Sequence, residues 1–175
     1  PRLLVCGAGD DAAILANLAA DVGFGVVVAD RRTALLAPAR FRPSVRLVES
    51  APDAVARAVA LDARTYAVVM GHHFADDLAH LRALLASRVA YIGMLGPRQR
   101  TDRMLDGLVR DGVRVDAGRV YGPVGLDIGT DGAEQVALSV LAEVLAIRSG
   151  RGAVSLRERR APIHQDEGAV NTPSA

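Results

Sequence analysis

Short apolar runs alternate with longer amphipathic stretches along most of the chain, a pattern that predicts strands each followed by a helix. Residues 2–6 (RLLVC) form an apolar run that stops at Gly7 and read as a buried first strand. Residues 10–22 follow as a helix, with Ile14, Leu15, Leu18 and Val22 at helical spacing. Residues 25–29 (GVVVA) are a second strand closed by Asp30, and residues 45–48 a weaker third strand behind a loop holding Pro38 and Pro43. A helix is predicted over 53–61, directly after Pro52. Residues 66–70 (YAVVM) make a fourth strand, 76–87 a helix and 89–92 a fifth strand. A charged amphipathic helix over 99–110 and a short sixth strand over 119–121 come next. The longest helix spans 131–148, with Val136, Val140, Leu141, Val144 and Leu145 on one apolar face. From Ser149 the chain turns polar, so the expected organisation is a Rossmann-like domain over 1–150 and a flexible tail over 151–175.

Strands that alternate with helices pair in parallel through right-handed crossovers. The predicted fold is therefore α/β, a Rossmann-type open, mainly parallel, doubly wound sheet flanked by helices. Ligands of such sheets sit beyond the C-terminal strand ends, where the strand order reverses, and the glycine-rich segments of this chain fall at those ends.

Composition agrees with that architecture. At 175 residues the chain suits one domain. Half its residues are hydrophobic but only 3% are aromatic, so its core is built from Ala, Val, Leu and Ile, as helices on a parallel sheet require. A net charge of +1 gives no drive toward nucleic acid or an anionic membrane. No apolar run reaches membrane-spanning length, no secretory leader pattern is present, and a single cysteine rules out an internal disulfide framework. The expected location is the cytoplasm. A chain opening at Pro1, so near its first strand, is expected to be a processed chain or a fragment.

The candidate chemistry begins with Gly7-Ala8-Gly9-Asp10-Asp11-Ala12, a G-x-G-x-x-G/A loop between a strand and a helix. The first glycine allows the tight turn, the second lets a pyrophosphate approach the backbone, and a small third residue lets helix and strand pack. Asp30, about twenty residues on, is placed to bind ribose hydroxyls. Arg31 and Arg32 beside it would favour a 2′-phosphate, which leaves NAD against NADP open. Asp10 and Asp11 are expected to cap the helix and offset part of its attraction for phosphate. Cys6 reads as a small buried apolar side chain.

After the fourth strand come Gly71-His72-His73 and then Asp76, Asp77 and His80. His73, Asp77 and His80 share a helix face at a spacing that can hold a metal, but a capped helix start with solvated histidines explains them equally and no metal is expected. After the fifth strand, Gly93 and Gly96 allow close backbone approach, and Arg98, Arg100 and Arg103 offer donors for phosphate or carboxylate. Gly125 and Asp127 lie in a rigid, glycine-rich segment, where Asp127 between Leu126 and Ile128 is expected to be more than a surface charge. Glu134 and Glu143 read as solvated.

Taken in order, Cys6-Gly-Ala-Gly-Asp-Asp-Ala12, Val69-Met-Gly-His-His73 with Asp76 and Asp77, Tyr91-Ile-Gly-Met-Leu-Gly-Pro-Arg98 and Gly122-Pro-Val-Gly-Leu-Asp-Ile-Gly129 carry a resemblance. Glu134, Ala142-Glu143 and Ala161-Pro-Ile-His164 extend it. The chain resembles the C-terminal Rossmann domain of the XdhC/CoxI family of xanthine dehydrogenase accessory factors. It departs from the family at Pro97, where Ser is common, and at Asp131-Gly132, near which Thr-Pro is common; the N-terminal domain that many members carry is expected to be encoded elsewhere, cut away or absent.

The resemblance implies a non-enzymatic chaperone that binds the molybdenum cofactor (molybdopterin) and delivers it to the apoenzyme of a molybdenum hydroxylase. A cysteine desulfurase or a separate N-terminal XdhC-type domain would be further partners, and the long last helix would support a homo-oligomer. The expected ligand is NAD(P) or the molybdenum cofactor, held by Gly7, Ala8, Gly9, Asp10, Asp30, Arg31, His72, His73, Gly93, Gly96, Arg98, Gly125 and Asp127. The alternatives are an NAD(P)-dependent oxidoreductase with His72 as proton donor, and a nucleotide-sensing or structural module.

Overall fold

A computed structural model describes residues 1–160. Six strands, β1 (Arg2–Cys6), β2 (Gly25–Asp30), β3 (Arg46–Glu49), β4 (Thr65–Val69), β5 (Tyr91–Met94) and β6 (Val120–Tyr121), form one sheet in the order β3-β2-β1-β4-β5-β6. Every pairing is parallel. The helices are α1 (Asp10–Asp21), α2 (Val55–Ala58), α3 (Phe74–Leu85), α4 (Arg98–Arg110) and α5 (Ala133–Ser149). This is the Rossmann-type doubly wound sheet that the alternating pattern predicts.

Alternate strand residues feed two cores, one on each face of the sheet. Leu3, Val5, Val26, Val28, Tyr66, Val68 and Tyr91 point to the face covered by α1 and α5. Leu4, Cys6, Val27, Ala29, Ala67, Val69, Ile92 and Met94 point to the face covered by α2, α3 and α4. Burial on both sides is why β1 and β4 read as continuous apolar runs. Helix α1 meets the sheet through small residues, Ala12, Ala13, Ala16 and Ala19 with Leu15, rather than through the predicted stripe of branched residues. Val22 of that stripe is exposed, and Ile14 and Leu18 are only partly buried. On α5, Val140, Leu141 and Val144 are buried, but Leu145 faces outward with Leu138.

Two boundaries differ from the sequence reading for identifiable reasons. Strand β5 starts two residues late because Tyr66 pairs with Tyr91; Val89 is apolar as core filling and precedes the ladder. The predicted helix over 53–61 shrinks to a 3₁₀ turn and the single turn α2, after which Val59 is extended. Asp62 then builds the turn into β4 by accepting hydrogen bonds from the Arg64 amide and the Thr65 hydroxyl. Helix α3 begins at Phe74, two residues early. Of the expected tail, residues 151–160 carry one 3₁₀ turn, Leu156–Glu158, while 161–175, including Ala161-Pro-Ile-His164, lie outside the described residues. No helix among the described residues is long and apolar enough to cross a membrane.

Candidate functional site

The chain runs β1 to β3 toward one edge of the sheet and β4 to β6 toward the other, so a crevice opens between the C-terminal ends of β1 and β4. The loop Gly7–Gly9 forms one lip and Gly71–His73 the other. Gly7 makes the turn with φ +109°, its amide donating to the Ala29 carbonyl at 2.8 Å. A Cβ there would stand 2.9 Å from the Met70 carbonyl oxygen, so the two lips touch through Gly7. Gly9 differs: a Cβ built on it meets nothing within 4 Å. It occupies the cap position of α1 and supplies no side-chain cap, which leaves the first helical amides open toward the crevice.

Asp10 and Asp11 do not cap the helix as expected. The Asp10 carboxylate instead accepts from Arg40 Nη2 at 2.8 Å, and Arg40 Nη1 donates to the Ala8 carbonyl at 2.7 Å and to the Leu35 carbonyl. Arg40 thus braces the glycine loop and pairs with Asp10. Nothing in the local pattern around Pro38 and Phe41 marks it for that role.

Asp30, the acid expected to bind ribose, is 4% exposed and already engaged. Its Oδ1 accepts from the Arg32 amide (2.8 Å) and Arg32 Nε (3.0 Å); its Oδ2 accepts from the Ala8 amide (2.8 Å) and Arg32 Nη2 (2.8 Å). Burial pushes this carboxyl up, but the hydrogen bonds from Arg32 and Ala8, with the Arg32 charge, outweigh it and hold the group below the usual carboxylate range. Arg31 turns the other way and pairs with Asp76 at 3.0 Å, linking the β2 end to α3.

On the opposite lip His72 sits in the left-handed region at φ 61°, a conformation a non-glycine residue holds only when its surroundings impose it. His73 is exposed at the cap position of α3, with Nδ1 3.6 Å from Asp76. Asp77 is buried: its Oδ1 accepts from the Gly71 amide at 3.1 Å and its Oδ2 pairs with Arg100 Nη1 at 2.7 Å. Arg100 therefore ties α4 to α3, and with Arg103 it lies against the half-exposed Phe74 ring. The face shared by His73, Asp77 and His80 does not converge, because Asp77 and His80 turn into the core while His73 stays in solvent. No cluster of metal-ligating residues is found among the described residues.

His80 is 4% exposed. Burial drives its pKa below the ordinary 6.5, against the attraction of Asp77, Asp76 and Asp30. The unfolded chain takes up a proton below about pH 6.5 that the folded chain resists, so stability falls as pH drops through that value. His80→Leu is expected to flatten the stability profile on the acid side of pH 6.5. Urea titrations at pH 7.5 and 5.5 check it; an equal loss in both proteins would acquit His80.

The remaining glycine positions belong to a second cluster. Gly93 is buried within β5, where a Cβ would strike Val124 and the Tyr91 hydroxyl. Gly125 (φ +105°) donates its amide to Glu143 Oε2 at 3.1 Å, and the Tyr91 hydroxyl donates to the same oxygen. Burial and then Glu143 push the Tyr91 hydroxyl upward, so it stays a donor. Glu143 is thus a buried clamp and not the solvated side chain expected; its position along the helix gives no sign of this, and only the packing of α5 on β5 reveals its partner. Gly96 (φ +117°) turns the chain into α4, and Arg98 is exposed on its first turn. Asp127, expected to be more than a surface charge, is exposed together with Ile128. Cys6 is fully buried, which raises its thiol pKa well beyond the reactive range.

The structure therefore joins Gly7, Ala8, Gly9, Asp10, Asp30, Arg31, His72 and His73 around the crevice, and sets Gly93 and Gly125 apart as scaffold. A groove of about 960 Å³ lies elsewhere, between α5 and the segment after it, lined by residues such as Leu126, Ala142, Leu145 and Leu156. Most of the surface that lines it is apolar.

Residues 3–144 match the family described as the XdhC Rossmann domain. Over 148 residues the chain is 38% identical to a probable subunit of xanthine dehydrogenase from Bacillus subtilis, covering 85% of this chain and 43% of that protein. Over 167 residues it is 32% identical to an uncharacterized protein, YqeB, of Escherichia coli, covering 94% of this chain and 31% of that one. Among solved structures, that of a xanthine dehydrogenase from Bacillus halodurans superposes with a TM-score of 0.76 at 32% identity, over 85% of this chain and 44% of the other. The chain spans less than half the length of these relatives.

Proposed function

The chain belongs to the XdhC family, as its Rossmann domain, and from that premise we propose that it is a cytoplasmic accessory factor that handles the cofactor of a xanthine dehydrogenase-type molybdenum hydroxylase. In this reading the crevice between β1 and β4 takes the phosphate-bearing end of a nucleotide or of molybdopterin. The observation that carries it is the open space over Gly9 at the start of α1, where backbone amides are available and no side chain fills the approach.

The residues present fit such a group in part. Gly7 and Gly9 shape the cradle, the amides after Gly9 donate to phosphate, and Arg40 offsets part of the repulsion of the exposed Asp10, while Asp11 still opposes an anion. His72 and His73 stand on the facing lip, within the region that the ligand's other half would enter. The names of the relatives in Bacillus support the link to xanthine dehydrogenase.

Calorimetric titration with NAD, NADP, AMP and molybdopterin cytosine dinucleotide tests the reading. The expected result is saturable binding of at least one of them, without turnover of a nicotinamide. Silence with all four at millimolar concentration would remove the phosphate site and leave protein contacts as the family function. A second reading, an NAD(P)-dependent oxidoreductase, rests on His72 at the crevice; a substrate-dependent change in nicotinamide absorbance would put it first.

A further inference from the structure

The carboxylate of Asp30 offers four lone-pair directions, and four donors occupy them. Two are backbone amides, those of Ala8 and Arg32, which the fold supplies whatever the ligand. The other two come from one guanidinium, Nε on Oδ1 and Nη2 on Oδ2, at 3.0 and 2.8 Å. A ribose diol bound to such an acid would present the same pair of donors, one hydroxyl to each oxygen. The carboxylate is buried, so it has no further face to offer, whereas the Arg32 side chain is 52% exposed and has solvent to move into once its two bonds to Asp30 are broken.

We propose that Arg32 is an internal occupant of the ribose seat, which makes it the specificity-determining residue of the crevice; this rests on the reading that the crevice binds a nucleotide. A ligand with a free 2′,3′-diol must first displace the guanidinium from Asp30. A ligand with a 2′-phosphate gives the displaced guanidinium a new bidentate partner and so recovers part of the loss, against the repulsion between that phosphate and the Asp30 carboxylate. The resting site therefore disfavours diol nucleotides more than 2′-phosphorylated ones. Neighbouring Arg31 does not substitute, because Asp76 holds it away.

The test is titration of the wild type, Arg32→Met and Arg32→Lys with NAD and NADP, which differ only in the 2′-phosphate. Methionine keeps an apolar stem and leaves Asp30 its two amide donors; lysine keeps the charge but cannot bridge both oxygens. Thermal melts of each variant confirm that it is folded. In Arg32→Met, NAD is expected to bind about tenfold more tightly, corresponding to ~1.4 kcal/mol, while NADP binds no better than before. Arg32→Lys falls between, and carries the comparison alone if the methionine variant does not fold. Binding of NAD by Arg32→Met but not by the wild type would support the inference most directly. Unchanged or weaker NAD binding in the variants, with either nucleotide still bound by the wild type, overturns the role of Arg32 and leaves the nucleotide site standing. No binding of either nucleotide by any of the three proteins overturns the role of Arg32, and the phosphate site then stands or falls with AMP and molybdopterin cytosine dinucleotide.

Discussion

Asp77→Leu is expected to lower folding stability by about 3 kcal/mol, because it breaks a buried charge pair and leaves its partner behind. The side chain is 2% exposed and serves two groups at once, the Gly71 amide at 3.1 Å and Arg100 Nη1 at 2.7 Å. Arg100 Nη2 is already buried without a partner, so the guanidinium has little other compensation. Leucine fills the volume but accepts nothing. In a domain of this size such a loss corresponds to roughly 10 °C in melting temperature. The double variant Asp77→Leu/Arg100→Met removes both charges and is expected to recover much of the loss, as paired removal does where single removal strands a charge. Urea unfolding of the two single variants and the double gives the coupling directly. Additive losses would mean that the two residues are independent and that α3 and α4 are not tied through them.

The same network explains which parts of the site are legible in sequence. Glycine spacing, strand ends and the acid after β2 are local signals, and they locate the crevice because Gly7 and Asp30 must stand where β1 and β2 finish. The folding pattern is legible for a similar reason: parallel strands buried on both faces are written as short apolar runs. What long-range pairing decides is not legible. Asp77 reads as a candidate ligand on an exposed helix face, and only the approach of α4 to α3 turns it inward to meet Arg100. Glu143 reads as solvated because its helix offers no local partner; Tyr91 and Gly125 reach it from 52 and 18 residues away. Asp127 keeps its exposure although its neighbours are apolar, since Ile128 itself is 54% exposed. The position of Asp30 follows from its spacing but its availability does not, because Arg32 saturates it.

The two glycines of the first loop separate architecture from ligand binding more sharply than any other pair. Gly9→Val is expected to leave folding within about 1 kcal/mol of wild type, since φ there is −62° and the added side chain meets open space; valine is only a poorer helix cap than glycine. Its effect on binding is expected to be large, on the order of a hundredfold weaker or ~2.7 kcal/mol, because the branched side chain stands where a phosphate must approach the α1 amides. Gly7→Val reverses the pattern. A residue forced to φ +109° carries about 1–3 kcal/mol of backbone strain, and its Cβ would press against the Met70 carbonyl at 2.9 Å. That carbonyl has little room to retreat, since the Met70 amide is bonded to Cys6 at 2.8 Å across the joined strands. Thermal melts and nucleotide titration of both variants therefore give opposite signatures, stability lost in one and affinity lost in the other. A Gly9→Val protein that binds as tightly as wild type would show the loop to be architecture alone, however well its spacing matches a phosphate cradle.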